Sequence, residues 1–168
     1  MRALGSTEYE PVWGDSREQI LSSLQGKAQR YGDLPSPYVI AINVMGWATD
    51  GIDVVDALFG EEVFTVNMRP GGEPGEVVPS RRPNGLWCGA EGARYTRVSA
   101  VLVSHGLDGW QAARRGINLY VNPYARRPCT GEILRLRRRE VVAGTLETAE
   151  GVEPRELLAL SETWPETD

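Results

Sequence analysis

Apolar residues at Ile20, Leu21, Leu24, Ala28 and Tyr31 recur at helical spacing, with Ser22, Gln25, Gln29 and Arg30 between them. The pattern predicts a helix capped by Asp15 or Ser16 and running to about Tyr31. Glu18 lies three residues after Asp15 and Gln19 three after Ser16, the spacing of a capping box. Gly26 weakens such a helix by about 1 kcal/mol relative to alanine, so it needs tertiary packing. Gly32 stops it, and Pro35 and Pro37 bar its continuation. Residues 37–45, PYVIAINVM, then form a near-continuous apolar run, which reads as a strand covered on both faces and as the centre of a sheet. Asn43, polar within that run, needs a hydrogen-bond partner if buried.

Further along, Asp53 is expected to cap a short helix, VVDALFG, that Gly60 ends, and Val63–Met68 to form a second strand. Residues 69–94 show little periodicity and much glycine and proline, which predicts one long loop with a tight turn at Asn84-Gly85 and Trp87 pinning its end to the core. RVSAVLVSH (97–105) is a buried strand, and INLYVN (117–122) is another that ends at Pro123, with Leu119 and Val121 alternating against Asn118 and Tyr120. Glu140 to Leu146 reads as an edge strand, and Pro154 opens a small helix that stops before Trp164-Pro165. The order of elements predicts an α/β (or α+β) fold, a mixed four- to five-stranded sheet with flanking helices, in a single domain spanning residues 1–168.

Composition places the chain among globular proteins: 168 residues, 41% hydrophobic and 24% charged. The N-terminus lacks an apolar segment of signal-peptide length, and the apolar run at 38–48 is too short to span a membrane. The expectation is a cytoplasmic protein with no membrane partner. Cys88 and Cys129 are then two reduced thiols, and with one histidine and no CxxC a structural zinc site is not expected.

Charge changes the picture more. The overall −5 conceals a basic segment, Arg94 to Arg139, with ten arginines and only two acids, between acidic ends. All but one of the basic residues are arginine. Arginine suits bidentate phosphate contact, although a GC-rich genome also favours it over lysine. Arg114, Arg115, Arg126, Arg127, Arg135, Arg137, Arg138 and Arg139 are the candidate nucleic-acid-binding residues. Arg135, Arg137 and Arg139 would point one way on an extended chain, roughly 7 Å apart, near a phosphate spacing. The alternative is that these arginines pair with the eight acids that follow residue 139.

Other candidate chemistry is sparser. His105 ends a strand near Ser104 and Asp108, but adjacent strand residues point to opposite faces, so Ser104 and His105 cannot act as nucleophile and base. Asp50 and Asp53, with Asp56, Glu61 and Glu62, form an acidic patch that could offer oxygen ligands to a metal. The simpler account has Asp53 capping a helix and Asp56 in its first turn. Cys88 sits among glycines with only Arg94 nearby to activate a thiolate, so a small buried residue is the expectation.

The segment REQILSSLQGKAQRYGDLPSPYVIAINV (17–44), a helix, a proline-containing turn and a buried strand, resembles the second half of restriction-endonuclease-like (PD-(D/E)XK) folds. The stretch from Lys27 to Pro165 is also similar to the rear half of longer uncharacterised bacterial proteins. This resemblance implies that an N-terminal portion carrying the catalytic hairpin is absent from this chain. In such nucleases an Asp and a Glu hold a divalent metal and a lysine two residues after the Glu activates water. Here the sole lysine is Lys27, preceded at that spacing by Gln25, in a segment that reads as helix rather than strand. Gln25, Lys27 and His105 are therefore the only catalytic candidates, and magnesium is implied only if a partner completes the site.

Three functional expectations follow. The first is a catalytically incomplete nuclease-like domain that assists nucleic-acid binding or completes a partner subunit. The second is a protein-interaction or structural module, with a partner protein or a homo-oligomer, in which Trp13, Trp87, Trp110 and Trp164 would suit an interface. The third is a stand-alone hydrolase using His105 and nearby acids.

Overall fold

The computed structural model describes residues 16–45, 51–69, 71, 73–111, 116–129 and 134–164. Its centre is a mixed five-stranded sheet with flanking helices, the α+β arrangement expected. In chain order the elements are α1 (Ser16–Ala28), β1 (Tyr38–Val44), α2 (Gly51–Phe59), β2 (Glu62–Met68), β3 (Pro74–Arg81), β4 (Cys88–Gly89), β5 (Gly92–Ala93), β6 (Val98–His105), β7 (Ile117–Val121), β8 (Arg137–Val142), β9 (Thr145–Ala149) and α3 (Pro154–Leu157).

The main sheet runs β1-β6-β7-β8-β9. Strands β1 and β6 are parallel, β6 and β7 antiparallel, β7 and β8 parallel, and β8 and β9 a hairpin. Strand β1 is thus an edge, not the centre that its apolar run suggests, and Ala41 and Asn43 are exposed on it. Apolar content marks a strand as buried on average but carries no information on strand order, which long-range pairing decides. The exposed Asn43 does find partners: its side-chain amide donates to the Leu107 carbonyl (2.8 Å) and accepts from the Leu107 N–H (2.9 Å).

One face of the sheet packs on the two longer helices. Ile20, Leu24 and Ala28 of α1 and Val54, Val55 and Leu58 of α2 meet Ile40, Val101, Val103 and Tyr120. The other face holds a smaller cluster, in which Ala100 of β6 and Leu119 of β7 meet Cys129 and Leu136 from the connection between β7 and β8. Tyr120 is therefore as buried as Leu119, and the alternation expected for β7 is replaced by burial on both sides.

Strand pairing also differs from the expectation in two places. Residues 69–94 are not one long loop, because they contain β3, β4 and β5, and β3 pairs antiparallel with β2 as a separate two-stranded ribbon. Pro74 and Pro79 hide that strand from a propensity reading, since proline is tolerated in a sheet mainly at edges. The expected edge strand at 140–146 is the middle of the β8–β9 hairpin, whose Ala143-Gly144 turn has φ of 49° and 86°. Two consecutive positive φ values fit the twist of a two-residue hairpin loop.

The helix boundaries shift for local reasons. Helix α1 ends at Ala28, and Tyr31 lies beyond it, edge-on to Tyr38 at 5.5 Å. Asp15 lies outside the described residues. Helix α2 begins at Gly51, so Asp53 lies in its first turn rather than at its cap. Gly60, at φ 90°, ends α2 as expected.

The last carbonyls of α2 are capped from a distance. The Leu86 N–H donates to Ala57 (2.8 Å) and the Trp87 N–H to Leu58 (3.2 Å). Gly85 permits this approach, because a Cβ there would lie 2.7 Å from the Leu58 oxygen. Trp87 is thereby buried edge-on to Phe59 at 4.8 Å, as its expected anchoring role requires. Trp87→Ala should lower the unfolding free energy by about 3–5 kcal/mol, read from urea denaturation.

Candidate functional site

The arginine series does not form one row. Arg114 and Arg115 lie outside the described residues. Arg135 precedes β8 with a φ of 52°, so it is not in register with Arg137 and Arg139. Within β8, Arg137 lies opposite Asn118 and Arg139 opposite Tyr120, on the helix-covered face, while Arg138 lies opposite Leu119 on the other.

Four of the six described members of the series meet acids of their own chain. Arg127 pairs with Asp33 (2.8 Å), Arg135 with Glu156 (3.7 Å), Arg137 with Glu150 (2.9 Å) and Arg138 with Glu140 (3.2 Å). Three of these four acids follow residue 139, the intramolecular pairing weighed as the alternative to phosphate contact. Arg126 is exposed, and its N–H is fixed to the Thr96 carbonyl (2.8 Å). Arg139 stacks over the Tyr120 ring at 5.8 Å. Neither Arg126 nor Arg139 has a carboxylate partner among the described residues. Burial pushes the Tyr120 phenol up, against the pull of the Arg139 charge and hydrogen bond.

Arg139 also lines a cleft of about 800 Å³ with Asp56, Glu62 and Arg81, below the β9 residues Thr145 and Leu146. Arg81 is the chief organiser there. Its side chain is only 10% exposed, and it donates to Asp56 (3.1 Å) and to the Gly60 carbonyl (2.9 Å), with Glu62 at 3.5 Å. Burial raises the Asp56 pKa, and the Arg81 and Arg17 charges only partly offset it. The acidic patch thus resolves into a half-buried ion pair at the base of the ribbon. Asp50 lies outside the described residues, Asp53 belongs to α2, and no group of three or more metal-ligating side chains occurs among the described residues.

The catalytic candidates are scattered. Gln25 and Lys27 sit within α1, two residues apart and so on different sides of the helix, and the Lys27 carbonyl accepts from the Tyr38 hydroxyl (2.8 Å). His105 ends β6, while Asp108 accepts from the Trp110 and Gln111 N–H groups (2.9 and 2.8 Å), which holds its carboxylate in a turn. Ser104, on the other face from His105, turns to Asn43. Cys88 and Cys129 are free thiols, and burial raises the Cys129 pKa. Cys88 lies beside Tyr124 in a cleft of about 350 Å³, where burial and the neighbouring thiol push the Tyr124 hydroxyl up.

What sequence reading missed is the β2–β3 ribbon. Phe64, Val66 and Met68 alternate along one face of β2, with Val77 and Pro79 opposite them on β3. Phe64 is 62% exposed, Met68 63% and Val77 53%. The alternation is visible in VFTVNM, but only pairing with β3 shows that this face turns away from the core. Of the interface tryptophans, Trp87 is buried, Trp110 and Trp164 are exposed, and Trp13 lies outside the described residues. No described helix is long and apolar enough to cross a membrane.

Comparison with family models, with curated proteins and with solved structures returns no match.

The raised pKa of Asp56 makes its contribution to stability depend on pH. The folded chain holds this proton more tightly than the unfolded chain, so the contribution favours folding below the ordinary value of 3.8. It is lost as pH rises from there through the raised folded value. The difference in unfolding free energy between wild type and Asp56→Asn, from urea denaturation at several pH values, should therefore change across that window and be flat above it.

Proposed function

We propose that this chain is a protein-interaction module that docks through the β2–β3 ribbon and contributes to a larger assembly. The single observation carrying this reading is the apolar ribbon face, Phe64, Val66, Met68 and Val77, standing exposed beside an ordinary buried core. Exposed apolar surface that is contiguous rather than scattered is the usual mark of a docking site. The engagement of Arg127, Arg135, Arg137 and Arg138 with internal acids supports it further, since those charges already have partners.

A second reading is favoured by Arg126 and Arg139, which have no carboxylate partner among the described residues. Under it the chain is the catalytically incomplete restriction-endonuclease-like domain of the sequence resemblance, and these side chains meet phosphates.

The two readings separate by experiment. Fluorescence anisotropy with labelled duplex and single-stranded oligonucleotides, at roughly 50 and 200 mM salt, should show no salt-sensitive association. Binding that weakens steeply with salt, and again in Arg126→Ala, would establish the second reading instead. In the same preparation, Phe64→Ser/Met68→Ser should reduce binding of the dye anilinonaphthalene sulfonate several-fold with the near-ultraviolet circular dichroism unchanged.

A further inference from the structure

We propose that the partner seated on the ribbon is a second copy of this chain, joined by antiparallel pairing of β2 with β2 about a two-fold axis at Thr65. This rests on the docking reading above.

The ribbon has one guarded edge and one open edge. At its base the Arg82 N–H donates to the Glu61 carbonyl (2.9 Å), and at its tip the Arg69 N–H donates to Glu73 (2.9 Å). Odd-numbered residues of β2 therefore direct their backbone groups towards β3. The register irregularity between Val66 and Met68 places the extra residue on β3, so the alternation along β2 holds. Glu62, Phe64, Val66 and Met68 consequently direct N–H and carbonyl groups outward, and among the described residues β2 pairs with no strand but β3. The far edge of β3 is different. Pro79, opposite Phe64, has no N–H to offer there, and its carbonyl lies against Gly144 of the β8–β9 turn.

Symmetry and charge then select the register. With Thr65 opposite Thr65 of the second copy, Phe64 pairs with Val66 of that copy, keeping the apolar residues on one face. Glu61 then falls opposite Arg69 of the second copy at both ends. Arg69 is exposed and has no acidic partner among the described residues, and Glu61 is partly exposed, held only by the surface pair with Arg82 (2.8 Å). Shifting the register by one symmetric step, with Val66 on the axis, sets Arg69 against Val63 and loses both charge pairs. The interface is isologous, so each contact occurs twice.

The test is sedimentation equilibrium of the full chain from about 5 to about 500 µM, where mass action should move the mean mass from one chain towards two. Glu61→Arg and Arg69→Glu should each raise the dimer dissociation constant about tenfold, by placing like charges opposite at two sites. An equimolar mixture of these two variants should associate as wild type does, because the mixed dimer regains two opposite-charge pairs. That recovery cannot come from a folding defect in either variant. A wild-type chain of single-chain mass throughout, with the dye still reporting the ribbon, overturns self-pairing and leaves the docking reading in place. A ribbon that binds no dye in a monomeric chain overturns both. Dimerisation indifferent to the two charge variants overturns the proposed pairing.

Discussion

The rest of the molecule depends on the backbone contact between the end of α2 and residues 84–87. A helix of nine residues leaves its final carbonyls without internal partners, and here two of them are satisfied by the N–H groups of Leu86 and Trp87. That single junction fixes Trp87 between Phe59 and the sheet. Gly60, where a Cβ would collide with the Arg82 carbonyl, brings the base of the ribbon against the same helix end. The Asn84 side chain joins in by accepting from the Glu61 N–H (3.1 Å). Core, helix and ribbon thus meet where two glycines allow backbones closer than any side chain would permit.

Around this junction polar groups do the work that apolar packing cannot. Arg81 crosses from the ribbon to α2, where Asp56 and the Gly60 carbonyl receive it, which ties the exposed element to the core at a nearly buried position. A half-buried pair of this kind adds little net stability, but loss of one partner leaves the other desolvated without its counter-charge. It acts as a positional lock. Asn122 plays a comparable part after β7, donating to the Val98 carbonyl (2.7 Å) and accepting from Tyr124 (2.9 Å), so that the chain leaves the sheet in one direction.

How much of this was legible in the sequence differs by element. The three strands that build the core, β1, β6 and β7, announce themselves as β-branched runs, and α1 through its apolar spacing. Their order was not legible, because Tyr38–Val44 and Val98–His105 are similarly apolar while only one of them ends up at an edge. Strand β3 was hidden by its prolines, and the β8–β9 hairpin by a turn, Ala143-Gly144, that is not among the strong turn signals. The arginines were conspicuous but their partners were not: Asp33 lies 94 residues from Arg127, a pairing that only the fold can reveal. The ribbon's apolar face had the reverse character, being easy to read as a buried strand and exposed only through its choice of a single neighbour.

The unequal edges of the ribbon also set a limit on growth. A two-stranded sheet with both edges free can add strands without end, which is the geometry of a fibril. Here Pro79 and the Gly144 turn obstruct one side, so an arriving strand is directed to the other. The limit acts on the backbone edges and not on the apolar face: strand addition to this ribbon has a direction, from β2 outward.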